Sequence, residues 1–205
     1  MRHGRYAKGP TIAATPNCAP ETGGTCGWRK KILEGRQGAV ILGKISRMRP
    51  DLTLRPYQPD DLPGVLRVFR KTVHLVNRSD YTPAQLEAWA PAAADRARWR
   101  GKLAAEEVVV AESQGELVGF CAWTADGCID FLYVHPAHLR QGVATRLYGA
   151  AERALVARGV KRMHTQASIT AAPFFLHHGF RTIRSQKVEV RNVGMPNFNM
   201  EKMLT

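Results

Sequence analysis

The most constraining feature of this sequence is a change of hydrophobic period close to residue 140. Residues 128–134 are apolar except for Asp130, which is typical of a strand buried on both faces. Beyond Gly142 the apolar and small residues fall on one face of a helix, which we expect to end near Gly159. These residues are Val143, Ala144, Leu147, Ala150, Ala151, Ala154 and Leu155. A buried strand that leads directly into an amphipathic helix predicts an α/β domain.

The loop between this strand and this helix has the properties of an anion-binding site. Pro136 ends the strand because its nitrogen carries no hydrogen for the sheet. The opening turn of the helix presents N–H groups that have no acceptor within the helix and that carry a partial positive charge. A pyrophosphate is a natural ligand for such a turn. Gly142 lets the backbone approach the ligand closely, and Ala144 keeps the helix entry small.

The remainder of residues 50–205 predicts one domain with a mixed sheet. Helices are expected after Pro59, after Thr82, over 95–105, from Gly142 and over 170–178. Strands are expected over 52–55, 107–113, 117–124, 128–134, 163–167, 184–192 and 197–203. The second helix has the sharpest start, since Thr82 is a capping residue followed by Pro83 and, three positions after the cap, by Gln85.

Charge separates the first quarter of the chain from the rest. The protein has 30 basic and 17 acidic residues, and residues 1–50 hold 10 of the basic residues but two of the acidic ones. That segment lacks sustained hydrophobic periodicity, so we expect residues 1–49 to be a disordered basic extension. We interpret it as a solvated tail or as sequence upstream of a native initiator at Met48. The alternative is a basic arm that binds nucleic acid, which is not the partner we expect.

The cysteines and the apolar runs indicate the environment of the chain. Of Cys18, Cys26, Cys121 and Cys128, no two have the two-residue gap of a zinc or redox motif, and we expect no metal. Cys121 and Cys128 lie in apolar sequence and are expected to be buried thiols, which fits a cytoplasmic protein. No apolar run approaches the roughly 18 residues that span a bilayer, so we expect no membrane association.

Two segments resemble the motifs of a known family. Leu139-Arg-Gln-Gly142-Val-Ala144 resembles the Gln/Arg-x-x-Gly-x-Gly/Ala hallmark of the GNAT superfamily of acetyl-CoA-dependent N-acetyltransferases, and it follows a strand that ends in Val134-His-Pro136. Residues 171–180 resemble the family's Ala-x-x-Phe-Tyr-x-x-x-Gly-Phe segment. The resemblance covers about residues 50–205, and residues 81–89, 168–171 and 197–202 look like one bacterial branch of mostly uncharacterised members.

The resemblance implies a GNAT-like fold of the α+β type, with a mixed, mostly antiparallel sheet that is splayed at its centre and has helices on both faces. It implies acetyl-CoA as co-substrate and N-acetyltransferase activity. Pantetheine would lie between the strands that end near Val134 and Ala167, with the pyrophosphate on the N–H groups of residues 140–145. The residues implied in cofactor binding are Leu132, Tyr133, Val134, Leu139, Arg140, Gln141, Gly142, Val143, Ala144, Thr145, Ser168 and Phe174.

Three positions depart from the family pattern. Leu139 replaces the usual Gln or Arg, which removes a side-chain contact with phosphate that Arg140 could replace. Ser168 stands where relatives often have Asn that faces the cofactor. Phe175 stands where many relatives have the Tyr thought to protonate the leaving thiolate, and it favours the alternative of a non-catalytic acetyl-CoA binder with the same fold.

Asp130 is the expected general base. A substrate amine with a pKa of about 10.4 must lose a proton before it attacks the thioester, and a carboxylate within an apolar strand is a candidate to accept it. The alternative is that Asp130 faces solvent or pairs with an Arg as a structural ion. Tyr81 is the candidate acid, with packing as its alternative role. Strand alternation predicts that Tyr133 points to the face opposite Asp130.

The sequence does not specify which amine is the acceptor, and both a small molecule and a peptide are open. Neither a Ser/His/Asp order nor a nucleophilic Cys context is present, so we expect direct transfer to a primary amine within a ternary complex. Trp89 is a candidate for the acceptor pocket, with core packing as the alternative, and His164 is a second candidate on the strand beside that of Asp130. The oligomeric state is open, with a homodimer among the options.

Overall fold

A seven-stranded sheet organises residues 51–205, which are the residues that the computed structural model describes. The strands are β1 (Leu52–Pro56), β2 (Glu107–Ser113), β3 (Glu116–Trp123), β4 (Cys128–Val134), β5 (Arg162–Ser168), β6 (Arg181–Val190) and β7 (Val193–Met203). The predictions for residues 1–49, including the initiator at Met48, the nucleic-acid arm and the states of Cys18 and Cys26, lie outside this range.

Five helices connect the strands of this region. They are α1 (Leu62–Val76), α2 (Pro83–Trp89), α3 (Arg96–Ala104), α4 (Val143–Ala157) and α5 (Ala172–His177). The predicted capping box of α2 is present, because the Thr82 hydroxyl accepts a hydrogen bond from the Gln85 N–H and the Gln85 side chain accepts one from the Thr82 N–H. Between residues 51 and 205, none of the helices is sufficiently long and apolar to cross a membrane.

The sheet is mixed, as predicted. The strand order is β1-β2-β3-β4-β5-β7-β6, and within the described residues β4 and β5 form the single parallel pair. Parallel neighbours need a crossover, which α4 provides. The fold class predicted from the sequence is therefore confirmed.

The helices cover both faces of the sheet at its centre. On one face, Phe69 of α1 packs edge-on against Tyr133 of β4, with ring centroids 5.0 Å apart. On the other face, α4 approaches β3 so closely that a side chain on Gly119 would meet Leu147 and Val143. Cys121 and Cys128 are buried and reduced, as expected. The result is a continuous core on both sides of β3 and β4.

A β-bulge in β4 overturns the prediction that Tyr133 points away from Asp130. Ala122 of β3 pairs with Phe131 and Trp123 pairs with Ile129, so Asp130 is the extra residue of the bulge. Because the bulge interrupts strict alternation, Asp130 and Phe131 both reach Lys102 of α3, and the Phe131 ring also lies beside Tyr133. The prediction was wrong because it assumed an unbroken two-residue period.

Candidate active site

The cleft of the site opens where β4 and β5 separate. The two strands pair at Cys128–His164 and Ile129–Thr165, and the pairing stops there although both strands continue. The Thr165 hydroxyl closes the narrow end of the cleft by donating a hydrogen bond to the carbonyl oxygen of Ile129, at 2.8 Å. A sheet that splays in this way leaves strand edges facing each other across a gap.

The bulge determines which β4 backbone groups face that gap. The N–H of His135 donates to the carbonyl of Val118 on β3, at 2.8 Å. Since backbone polar groups alternate sides along a strand, those of Leu132 and Val134 point towards β5. The Val134 carbonyl accepts a hydrogen bond from the Thr72 hydroxyl of α1, at 2.8 Å. The backbone groups of Leu132 and the N–H of Val134 therefore line the cleft edge.

The turn that opens α4 has the geometry of an anion site. Gly142 caps the helix in the left-handed conformation with φ of 79°, and Arg140 also has a positive φ, 63°. No atom lies within 4 Å of a Cβ built on Gly142, so a side chain would have space there. The requirement for glycine at this position therefore comes from its left-handed backbone conformation. The first helical acceptor, the Gly142 carbonyl, receives the N–H of Arg146. The N–H groups of residues 143–145 consequently point out of the helix end.

A cavity of about 190 Å³ lies at this turn, and we call it the small cavity. It joins the end of β4 to the start of α4 and to α5. Eight of the twelve residues predicted to bind cofactor line it, namely Val134, Leu139, Arg140, Gly142, Val143, Ala144, Thr145 and Phe174. The sequence pattern that predicted these residues thus brings them together around one concave surface.

The other four residues predicted to bind cofactor do not line the small cavity. Leu132 and Tyr133 are buried in β4, where the backbone of Leu132 faces the cleft. The Gln141 side chain donates to the Ala137 carbonyl, at 3.1 Å. The buried Ser168 hydroxyl accepts a hydrogen bond from the Ala171 N–H, at 3.0 Å, and so fixes the turn into α5.

Three histidines also line the small cavity: His138, His177 and His178. The His178 ring packs against Phe174, with centroids 4.3 Å apart. Burial, followed by the charges of His177 and Lys202, lowers the pKa of His178, so its ring is neutral at pH 7.

A second cavity, of about 880 Å³, lies on the α1 and α3 side of the sheet, and we call it the large cavity. Four aromatic side chains form its walls, namely Phe69, Trp89, Trp99 and Phe131. Trp99 stacks on Phe131 with ring centroids 5.1 Å apart. This volume lies within the range of small-molecule sites. The structure therefore brings Trp89 to a cavity, as the acceptor prediction requires.

Asp130 belongs to a buried group of three charged side chains beside the large cavity. The Lys102 ammonium forms ion pairs with Asp130 and, at 3.0 Å, with Glu106. The side chains of Asp130 and Glu106 are 3% and 5% exposed, whereas that of Lys102 is 32% exposed and lines the cavity. Lys102 thus separates the two carboxylates from the cavity, and Lys102, not an Arg, is the cation that pairs with Asp130.

Glu106 is a functional candidate that sequence reasoning missed. Burial, and then the neighbouring Asp130 carboxylate, raise the pKa of Glu106 to about 7, against the opposing effect of Lys102. Its Oε2 atom is buried and finds no donor among the described residues. A proton held on that oxygen can therefore hydrogen-bond the Asp130 carboxylate. The four-residue spacing of Lys102 and Glu106 was the available signal.

Tyr81 lies in the turn before α2, and its side chain reaches the β5 side of the cleft. Its hydroxyl accepts a hydrogen bond from the Ile169 N–H, at 2.9 Å, and donates one to the Pro196 carbonyl, at 3.0 Å. Burial raises its pKa to about 12. The hydroxyl thus joins the end of β5 to β7, and its proton is directed at a backbone carbonyl.

Phe175 and His164 lie away from both cavities. Phe175 is fully buried against Phe174 and Phe180, so α5 presents no phenol at this position. His164 lies at the narrow end of the cleft, with Nε2 3.9 Å from the Asp126 carboxylate. The structure does not bring His164 to the large cavity, because the pairing with β4 holds it near the β3–β4 turn.

Comparisons with known proteins agree with this geometry. Residues 77–204 match the acetyltransferase (GNAT) domain family. The chain is 36% identical to the uncharacterised N-acetyltransferase YafP of Escherichia coli over 150 residues, which cover 73% of this chain and 95% of that protein. It is 34% identical to a GCN5-related N-acetyltransferase of known structure from Rhodopseudomonas palustris, with a TM-score of 0.72, covering 76% of this chain and 96% of that one.

A more distant structure shares the fold. The PaiA N-acetyltransferase of Thermoplasma acidophilum, solved in complex with coenzyme A, is 17% identical and has a TM-score of 0.57, covering 75% of this chain and 99% of that one. Taken together, the fold and the strand-to-helix turn define an acyltransferase. The chain belongs to the GNAT family of acetyltransferases.

Proposed function

We propose that this protein transfers the acetyl group of acetyl-CoA to a primary amine by direct transfer within a ternary complex. One observation carries the proposal: β4, which forms one edge of the cleft, leads into a helix turn with outward N–H groups, and its Phe131 also lines the large cavity. The coenzyme A complex of the distant PaiA relative supports the choice of cofactor.

The residues present fit the two polar parts of acetyl-CoA. The outward N–H groups of residues 143–145 would hold the diphosphate, as helix N-termini commonly do. The β4 backbone at Leu132 and Val134 would pair with the pantetheine amides as a short additional strand. When bound, acetyl-CoA would supply the activated acetyl group, and these backbone contacts would aim it at the large cavity.

The buried charged group would remove the proton from the acceptor amine. Lys102 faces the cavity, and Glu106 and Asp130 lie behind it. In our proposal a proton leaves the Lys102 ammonium for the Glu106 carboxylate, and the resulting amine of Lys102 takes a proton from the acceptor ammonium. Lys102 ends with its charge restored, Glu106 is neutral, and the acceptor has a lone pair. The transferred proton stays on Glu106, and Asp130 stabilises it there by accepting a hydrogen bond from the Glu106 carboxyl group.

The raised pKa makes Glu106 a better base than an ordinary carboxylate. Transfer from an amine of pKa about 10.4 to a carboxylate of pKa about 4.3 is uphill by roughly 8 kcal/mol. With the pKa of Glu106 at about 7, the same transfer is uphill by roughly 5 kcal/mol. The difference, roughly 3 kcal/mol, is of the same order as the typical contribution of a general base.

Tyr81 is the group that we propose to protonate the departing thiolate. Its hydroxyl lies at the β5 side of the cleft, and it would exchange the Pro196 carbonyl for the sulfur as acceptor of its proton. A coenzyme A thiol has a pKa close to that of a free cysteine, about 8.5, so its thiolate is a fair leaving group even before it is protonated. The absence of a phenol at Phe175 is therefore compatible with catalysis.

The test is release of the free thiol of coenzyme A from acetyl-CoA in a panel of primary amines, with the acetylated product identified by mass spectrometry. We expect thiol release that needs both the protein and an amine, with one acetylated amine for each thiol and no acetylated protein intermediate. Binding of acetyl-CoA without transfer to any amine would instead support the non-catalytic binder.

A further inference from the structure

The large cavity carries the whole excess positive charge of residues 51–205. These residues include 20 basic and 15 acidic side chains, and the cavity is lined by seven of the former and two of the latter, Asp95 and Glu189. Outside the cavity, the remaining basic and acidic residues are equal in number. A concave site lined by one sign of charge attracts ligands of the opposite sign.

Most of these cationic side chains are free to meet a ligand. Lys102 is bound to its two carboxylates, Arg67 donates to the Leu117 carbonyl at 3.2 Å, and Arg191 donates to the Ala88 carbonyl. By contrast, Arg70 of α1 and Arg98 of α3 are exposed at the rim, and within residues 51–205 neither side chain forms an ion pair or a hydrogen bond. Unpaired guanidinium groups on both sides of one opening suit a carboxylate or a phosphate.

The same positive potential acts on a neighbouring group. Burial is the main cause of the lowered pKa of His135, and the next is the charge of Lys71, another residue of the cavity rim. Below the rim the walls are aromatic, with Trp99 stacked on Phe131 at 5.1 Å. Cationic rim and aromatic wall together favour a ligand that has an anionic group and an apolar or aromatic body.

The phosphates of acetyl-CoA are not the anions that this rim would bind. The proposed diphosphate site is the small cavity, which is formed by β4, α4 and α5 and shares no lining residue with the large cavity. A nucleic acid duplex is also a poor fit, because the cationic groups line a concave volume of about 880 Å³ and do not form a long stripe.

We infer that the acceptor is an amine that also carries a carboxylate or a phosphate next to an apolar or aromatic body. The inference rests on the proposed acetyl transfer and specifies its substrate class. The amine would enter towards Lys102, Glu106 and Asp130, while the anionic group would stay at the rim between Arg70 and Arg98. A simple diamine or polyamine has no anionic group that could bind the arginines of the rim, so we expect it to be a poor substrate.

The experiment compares matched amines that differ in the anionic group. Tryptophan and phenylalanine are each assayed against their carboxamides, and O-phosphoethanolamine against ethanolamine, with kcat/KM from thiol release and binding from thermal shift in the presence of coenzyme A. We expect the anionic member of a pair to have at least about tenfold higher kcat/KM, as one charged hydrogen bond provides. Its advantage should shrink as ionic strength rises.

Three variants test which arginines cause the preference for anionic amines. Arg70→Gln and Arg98→Gln are expected to raise KM for the anionic amine about tenfold and to leave KM for its neutral partner unchanged. Arg184→Gln removes an exposed arginine of β6 that lines neither cavity, and it should change neither value.

The outcomes separate the inference from the proposed function. Equal or better transfer to the neutral amines would overturn the inference and leave the acetyltransferase proposal intact. If no amine is acetylated, the proposed function fails, and thermal shift then decides the inference. Stabilisation by the anionic members alone, lost in Arg98→Gln, would support it, and no difference within the pairs would overturn it.

Discussion

At the scale of single residues, the account depends on two buried carboxylates that share one ammonium. Asp130 and Glu106 both contact Lys102, and the pair is buried while Lys102 reaches the large cavity. Burial and the neighbouring Asp130 carboxylate raise the pKa of Glu106 to about 7. The arrangement gives a base whose pKa lies close to neutral pH.

Glu106→Gln tests this base directly. We expect kcat near pH 7.5 to fall about 100-fold, the usual cost of removing a general base. In the wild-type protein, activity should fall as the pH drops through about 7, where Glu106 takes up a proton, and this limb should be missing in the variant. Glu107→Gln is the control, since Glu107 is the next residue and pairs with Arg158 instead. An unchanged pH profile in Glu106→Gln would contradict the assignment.

Asp130→Asn should act in a different way. The negative charge of Asp130 raises the pKa of Glu106, so its removal should move the acidic limb of the pH profile below pH 7. We expect kcat at neutral pH to fall while the affinity for acetyl-CoA, measured by calorimetry, changes little. A variant with unchanged turnover would exclude Asp130 from the proton path.

The sequence predicted Asp130 but not Glu106, for a physical reason. An acid within an apolar strand is visible as a break in the pattern, because its environment is set by the strand itself. Glu106 lies at the junction of α3 and β2, where burial depends on how α3 packs over β4. His164 illustrates the reverse case: its strand was predicted correctly, but its place at the narrow end of the cleft follows from the register of β5 with β4, which the sequence does not specify.

At the scale of elements, β3, β4 and α4 position the site. Gly119 of β3 lets α4 approach, since an added Cβ would lie 2.9 Å from Leu147 and 3.0 Å from the Tyr133 carbonyl. The strands and helices themselves follow from hydrophobic period and capping residues, and they were predicted within a few residues. The bulge at Asp130 was not predicted, because it is a property of the pairing with β3 and not of β4 alone.

Gly119→Ala should separate α4 from the sheet. We expect a loss of about 1–3 kcal/mol in the free energy of unfolding, as for other small-to-large changes in tight packing, together with weaker binding of acetyl-CoA. The control is Gly101→Ala in the middle of α3, where a Cβ meets nothing within 4 Å. That change should stabilise the protein by about 0.5–1 kcal/mol through helix propensity. Denaturant unfolding measures both, and equal effects would contradict the packing argument.

At the scale of the whole molecule, the fold separates two kinds of recognition on the two sides of one splayed sheet. In our proposal the backbone of β4 and the opening turn of α4 bind the cofactor. This site can be predicted from the sequence because it needs only a turn, a glycine and a helix start. The large cavity is assembled from α1, α2, α3 and the β6–β7 turn. Its shape and charge come from elements distant in sequence, so composition alone did not reveal the class of acceptor.

The central claim is that the opening turn of α4 holds the diphosphate of coenzyme A, and calorimetry tests it most directly. Coenzyme A should bind about 100-fold or more tightly than pantetheine, which lacks the diphosphate, because charge-assisted hydrogen bonds are lost. Gly142→Glu should remove this advantage. Gly159→Glu, which has a similar φ of 71° and open space at the other end of α4, should keep it. Equal affinities for the two ligands, or an advantage that survives in Gly142→Glu, would contradict the account.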